Sequence, residues 1–358
     1  MTEHLQTKII NGLVCREQDG ELFGLLWQKF VAEYKLGPYY LLTFIDYLLA
    51  YAGDKLKADK SFVYVKNYEP VAIVFLPVEE YAGERSISIW SHFCPAPYIL
   101  PDHGLVSEIM SLIDKLAVIE KINKIMFHLD ILERQTQPLN YLLNYNYLNA
   151  AIHGYLVDCE HPAMRRNHER AVKKISADQN FSLYVMDKKN ADYQIHEIYR
   201  ELHYKCAGKI TRPKETFDLQ FKLLTEGHSI LVGLKNKDKF VAFTYYTYAG
   251  DKAISFSAAD DTDFAHLPLY HIINWTAVNE LKKIGVKIMD VGQPLNLSHQ
   301  FFYHPDEKQK NIALFKTGFA GALVNYYNGI KYFSRRAFEK DMQKFITQYQ
   351  IPSYEKAI

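Results

Sequence analysis

The sequence predicts an α/β chain built from two tandem copies of one mixed-sheet domain, on three observations. Its 358 residues exceed what one hydrophobic core ordinarily serves. Hydrophobic residues make up 48%, with 27 Tyr and 21 Phe against 17 Gly and 13 Pro, a balance that fills two cores and excludes disordered and fibrous classes. The third observation is an internal repeat in the wording of the chain, which decides the architecture before any motif does.

The repeat runs in order. Phe62-Val-Tyr-Val-Lys-Asn67 is followed by Val71-Ala72, and Leu231-Val-Gly-Leu-Lys-Asn236 by Val241-Ala242; each reads as strand, polar turn, strand. The next turns match as well, Tyr81-Ala-Gly-Glu-Arg-Ser-Ile-Ser88 and Tyr248-Ala-Gly-Asp-Lys-Ala-Ile-Ser255. Each copy continues with an amphipathic helix, Leu105 to Ile122 and Leu269 to Ile284, and a short apolar strand, Lys124-Ile-Met126 and Lys287-Ile-Met289. Antiparallel hairpins feeding a helical crossover give a mixed sheet with helices on both faces. A pure Rossmann fold is excluded, because strand and helix do not alternate throughout and no Gly-rich first turn occurs. The break between the strand Gly154 to Asp158 and a helix starting near Pro162 places the domains at 1–157 and 158–335, with a helical tail at 336–358.

Composition narrows the function. Lys and Arg total 42 against 41 for Asp and Glu, a net charge of +1, so any contact with a polyanion has to be local. The start lacks a basic segment leading into an apolar one, and no stretch is long and apolar enough to span a bilayer, so a soluble, cytoplasmic protein is expected. The four Cys are scattered, with no CxxC pair, and read as free thiols. No Gly-x-Ser-x-Gly elbow, P-loop or Cys-nucleophile signature is present. His196, His203 and Cys206 lie roughly on one helix face, but no full set of four ligands stands at zinc-site spacing, so no metal is expected.

Three segments carry a family resemblance: the basic run Arg165-Arg-Asn-His-Glu-Arg-Ala-Val-Lys-Lys-Ile175; the stretch from Val241 to Gly292 with its Pro-started helix; and Leu314-Phe-Lys-Thr-Gly-Phe-Ala-Gly321. Together they resemble the GNAT-related FemAB family of tandem transferases and its acetyltransferase-like relatives in surface-glycan pathways. The resemblance implies two GNAT-like domains, the second holding the active site, and transfer of an acyl or aminoacyl group in cell-envelope or polysaccharide biosynthesis. It also associates Lys316 with catalysis. Two departures stand out: Ala320 replaces a Gly common in relatives, and no long heptad-bearing helical arm is present, so a transfer-RNA partner is not favoured. Neither half has the Gly-rich turn that wraps the coenzyme A pyrophosphate in backbone N–H groups, and the matching segment, Ala258 to Pro268, is acidic. No permanently bound cofactor is expected; the donor stays open among acyl-CoA, an acyl carrier and aminoacyl-tRNA.

The candidate site residues follow. Arg166, Arg170 and Lys174 lie along one helix face and suit a phosphate-bearing acceptor; a merely solvated basic face is the alternative. Asp290 and Gln293 sit at the carboxyl end of an apolar strand, where a base or orienting group belongs, unless Asp290 only caps the next turn. Alternation along Ile312 to Phe319, read as a strand, puts Lys316 on a face open to a substrate anion, where it would hold an oxyanion; an edge strand guarded by its lysine is the alternative. Of the paired rings Tyr245 and Tyr246, alternation turns one to the core and the other to the cleft, and Tyr245 is the expected substrate contact. Residues 297–310 are a candidate lid. The expected function is amide formation on an amine of an envelope or glycan precursor. The alternatives are coenzyme A-dependent N-acetylation of a nucleotide-linked amino sugar and a catalytically silent binding protein.

Overall fold

The computed structural model of the protein describes residues 11–133, 139–292, 295, 300 and 302–348. The first half runs β1 (Asn11–Cys15), α1 (Gly20–Glu33), α2 (Leu42–Ala52), β2 (Leu56–Asp59), β3 (Phe62–Lys66), β4 (Glu69–Val74), β5 (Pro77–Tyr81), β6 (Glu84–Ile87), β7 (Cys94–Pro95), β8 (Tyr98–Ile99), α3 (His103–Ile119), β9 (Lys124–His128), β10 (Leu148–Asn149) and β11 (Ile152–Asp158). The second runs α4 (Arg166–Ser176), β12 (Phe181–Met186), α5 (Tyr193–Ala207), α6 (Lys214–Glu226), β13 (Ser229–Asn236), β14 (Lys239–Ala249), β15 (Lys252–Asp260), α7 (Leu269–Lys283), β16 (Ile288–Asp290), α8 (Glu307–Lys316), β17 (Gly321–Tyr326), β18 (Asn328–Tyr332) and α9 (Arg335–Gln348). The predicted mixed α/β class is the observed one.

Local chemistry sets these boundaries. The Leu22 N–H donates to the Asp19 carboxylate at 3.0 Å, which starts α1, and Leu22, Phe23, Leu26, Trp27 and Phe30 form its buried face. Both repeated turns are hairpin turns: Tyr81 to Ser88 joins β5 to β6, and Tyr248 to Ser255 joins β14 to β15.

Strand order carries the repeat further. The second half is one sheet, β12-β13-β14-β15-β16-β11-β17, whereas the first is split into β1-β3-β4-β8 and β10-β18-β9-β6-β5-β2. Each half has a parallel pair joined through a helix, β6 with β9 across α3 and β15 with β16 across α7. The next strand in each sheet comes from elsewhere in the chain. β11, at the end of the first half, lies between β16 and β17, and β18, near the end of the second, lies between β9 and β10. Backbone hydrogen bonds therefore cross the 157/158 division in both directions. The largest core follows them: it is built mainly on first-half residues but also takes in Leu223, Ala249, Ile254 and Val324. Among the described residues no helix is long and apolar enough to cross a membrane.

The β11–β17 ladder is close enough to require glycine. A Cβ on Gly321 would stand 2.1 Å from the Leu156 carbonyl oxygen, a backbone atom that cannot move without opening the ladder. Gly321→Ala is expected to destabilise by about 3 kcal/mol, at the overpacking end of the usual range. Gly20→Ala, which meets nothing within 4 Å, should stay within about 0.5 kcal/mol. Urea midpoints of the two variants check the contrast.

Candidate active site

β16 pairs with β15 only through Ile288 to Asp290, and Gly292, at φ 64°, turns the chain away. Glycine is needed there for a second reason, since a Cβ would lie 2.9 Å from the Ser255 carbonyl oxygen. A cavity of about 480 Å³ opens at this strand end, walled by Tyr39, Phe44 and Tyr47 from the first half and by Ile254, Ser255, Phe256, Gly292 and Tyr326 from the second, with His128 and Trp90 beside them. It is a cleft between the halves, mostly aromatic, of the size small ligands use.

Asp290 stands behind its wall, fully buried. The Tyr39 hydroxyl donates to Oδ2 at 2.9 Å, the Gly292 N–H donates to Oδ1 at 2.8 Å, and the Tyr326 hydroxyl also donates to Oδ1. Burial raises the Asp290 pKa above the ordinary carboxyl value, opposed by these donors and by the charge of Lys316. Burial and the charge of Asp290 in turn push both phenols well above their usual value, so they stay protonated. The Lys316 ammonium donates to the Val291 carbonyl, and burial lowers its pKa to about 8 against the pull of Asp290. Beneath Tyr39, Asp130 is buried with Oδ1 bonded to the Leu132 N–H at 2.8 Å and Oδ2 without a partner. Burial and then Glu133 push Asp130 well up. Glu133 is itself clamped by Lys252, at 2.8 and 2.9 Å, which ties the halves together below the cleft.

A second charged group adjoins the cleft. Arg212 is 5% exposed. Its Cζ lies over the Phe217 ring, 3.9 Å from the centroid, and it donates through Nη1 to Tyr47 and through Nη2 to Tyr199 at 3.1 Å and Gln220 at 2.6 Å. Its Nε–H has no partner, and no carboxylate pairs with it among the described residues. Tyr47 is shared between this cage and the cleft wall.

A solved structure of FemX superposes on the chain with a TM-score of 0.62, at 11% identity, over 88% of this chain and 98% of that one. The chain has the FemX fold. A tandem GNAT protein from the clavulanic acid biosynthesis pathway matches at a TM-score of 0.51 and 12% identity over 90% and 98%. L-PGS from Bacillus licheniformis matches at 0.51 and 12% over 84% and 91%. No protein-family model and no curated protein matches the sequence.

On this FemX-like frame the expected residues separate. Asp290 and Lys316 lie close enough for their charges to interact, but Lys316 is the last residue of a helix, not part of a strand. Asp306 and Gln309 form a capping box that starts α8, and β17 begins only at Gly321. Neither Lys316 nor Asp290 lines the cleft: Lys316 donates to the Val291 carbonyl, one residue before Gly292 of the cleft wall, and Asp290 reaches the wall through Tyr39, Tyr326 and the Gly292 N–H. The small residues after Lys316 serve the chain itself, with Gly318 packed on the His168 ring and Gly321 on Leu156. Arg166, Arg170 and Lys174 are exposed on α4, have no ion-pair partner among the described residues and do not line the cleft, because α4 turns His168 and Ile175 toward α7 instead. Tyr245 is fully buried with its hydroxyl 2.7 Å from His196 Nδ1; the pleat turns it into the core under α5, so it is not a cleft contact. Gln293 and most of the first part of the 297–310 segment lie outside the described residues. Missed altogether were Tyr39 and Arg212. Their only sequence signals are the turns they flank, Gly37-Pro38 and Arg212-Pro213.

Proposed function

We propose that the protein is an acyltransferase that moves an acyl or aminoacyl group onto an amine of a phosphate-bearing cell-envelope or surface-glycan precursor made in the cytoplasm, forming an amide. The observation that carries this reading is the Tyr39–Asp290–Tyr326 array at the wall of a cleft between two GNAT-like halves. In such an array an amine bound against a phenol loses its proton to the phenol oxygen as the phenol proton passes to Asp290. The amine nitrogen bonds to the carbonyl carbon of an ester or thioester, the carbonyl–O or carbonyl–S bond breaks, and the leaving group takes the proton back from Asp290 by the same route. Orientation of two substrates in one cleft supplies much of the rest of the rate. Lys316 acts on Asp290, its charge favouring the ionised carboxylate.

The test offers the protein radiolabelled aminoacyl-tRNA or acetyl coenzyme A, each with UDP-linked amino sugars and peptide-bearing precursors, and looks for label in a base-stable, amide-linked product. Transfer that Asp290→Asn abolishes supports the reading. Absence of transfer from either donor to any of these acceptors, with the cleft binding them nonetheless, would favour a silent binding protein.

The pH profile follows from the pair. The charge of Lys316, present below its pKa of about 8, lowers the Asp290 pKa against the effect of burial, so kcat/KM should rise with pH as Asp290 ionises. Removing that charge in Lys316→Met raises the Asp290 pKa, so the acid limb should move to higher pH. Comparing the two proteins on one acceptor cancels the acceptor amine's own titration. An acid limb that stays in place would remove Lys316 from this role.

A further inference from the structure

We propose that His196, Glu197 and Asp218 form a binding site for a divalent first-row cation, zinc by its donor set, that clips α5 to α6. One imidazole nitrogen and one oxygen of each carboxylate lie within 4.8 Å of one another. Two of the donors are adjacent on α5 and the third comes from α6, an arrangement that spacing along the sequence does not reveal. One imidazole and two carboxylates are donors that Zn²⁺ accepts, with a fourth position left for water.

The independent sign of a missing ligand is His196 itself. The side chain is fully buried, Nδ1 is 2.7 Å from the Tyr245 hydroxyl, and Nε2 has no partner. A buried nitrogen left unpaired is costly, and it rarely survives without a role. Burial lowers the imidazole pKa to about 4, so the ring is in the neutral form that ligates a metal. Tyr245 then serves as the outer partner that fixes the ring, with the proton on Nδ1.

Two cations already occupy the carboxylates. Arg200 grips Glu197 through Nη2 at 2.6 Å and Nε at 3.0 Å, and Lys214 donates to Asp218 at 2.8 Å, alongside the Tyr193 hydroxyl at 2.6 Å. Their charges balance the two carboxylates, so a dication has to displace one of them. Lys214, with a side chain 52% exposed on a flexible stem, is the one to leave, while Arg200 keeps its two-point hold. Metal and Lys214 therefore compete for Asp218. The loop between α5 and α6 carries Arg212, and Tyr199 of α5 links that cage to the site: its hydroxyl accepts from Arg212 at 3.1 Å and donates to Ser257 at 2.7 Å, and its ring lies 5.0 Å from Tyr245 and 5.9 Å from His196. Clipping the two helices would thus order the Arg212 cage.

The experiment uses the full chain, stripped with EDTA and titrated with Zn²⁺ against a chromophoric chelator, and with Co²⁺ for its visible absorption. Equimolar binding at micromolar or lower free Zn²⁺, with tetrahedral Co²⁺ bands, is expected. His196→Gln and Asp218→Asn should each abolish it, and Lys214→Met should tighten it by about tenfold. Asp218, whose side chain is 43% exposed, keeps the test open if the buried His196 variant does not fold. Binding confined to millimolar ion, wild-type affinity in Asp218→Asn, or no tightening in Lys214→Met would overturn the proposal.

Discussion

Asp290→Asn is expected to lower turnover by about 10²- to 10⁴-fold, the usual worth of a positioned proton acceptor, with the fold intact. Asparagine has the same shape and keeps one oxygen to accept from the Gly292 N–H, now 2.8 Å from Asp290 Oδ1. What it lacks is charge and basicity. Its NH₂ also faces a hydroxyl that at present donates to the carboxylate, so one phenol must turn its proton toward the cleft and can no longer accept one from an amine. Tyr326→Phe tests the same path from the other side: it leaves the carboxylate with its Tyr39 and Gly292 donors but removes a hydroxyl that bridges it to the cleft. If the two residues are parts of one relay, the double variant should cost little more than the worse single one. Circular dichroism and urea midpoints establish that each variant is folded, and single-turnover rates then separate chemistry from release. Near-normal turnover in folded Asp290→Asn would remove the relay.

The parts of this site that could be read from the sequence are those whose signals are local. The hairpin turns at Tyr81 to Ser88 and Tyr248 to Ser255, the crossover helices and the strand ending at Asp290 all carry their periodicity or punctuation within a dozen residues or so. Exchange of β11 and β18 left no such mark, because an apolar strand reads the same whichever sheet receives it. Lys316 was misplaced for a related reason. Ile312-Ala-Leu-Phe-Lys-Thr alternates well enough for a strand, and the deciding signal, the Asp306–Gln309 capping box, stands a helical turn upstream of that run. The phase of Tyr245 against Tyr246 depends on which sheet face each core occupies, and both faces are buried here. Tyr39 reaches Asp290 across 251 residues of chain, a contact that no pattern in one sequence announces.

Arg212→Met is expected to weaken binding of a phosphate-bearing acceptor by about thirtyfold or more, the 2 kcal/mol and upward lost when one partner of a buried charge pair is truncated. The argument begins with the cost of the wild-type arrangement. A guanidinium only 5% exposed has given up most of its water, and phenols, an amide and an aromatic face return part of that loss without neutralising the charge. An anion in the adjoining cleft would complete the compensation, either through the unpartnered Nε–H after a small shift of the cage or as a field effect through Tyr47, which both sites share. Arg212 therefore replaces the exposed arginines of α4 as the residue expected to favour a phosphate. A role confined to stability makes a different prediction. Methionine fills similar volume over Phe217 without a charge to desolvate, and Tyr199 retains Ser257 at 2.7 Å as a partner, so the melting temperature should change by only a few degrees. Isothermal titration with inorganic pyrophosphate and with a UDP-linked amino sugar reads the affinity, and calorimetric melting of the same samples reads the stability. Arg212→Lys, which keeps the charge but not the planar fork, should fall between the two. Lost affinity at nearly constant melting temperature marks an anion site; unchanged affinity, or affinity lost only in step with unfolding, makes Arg212 a structural residue and leaves the acceptor's phosphate without a partner in the cleft.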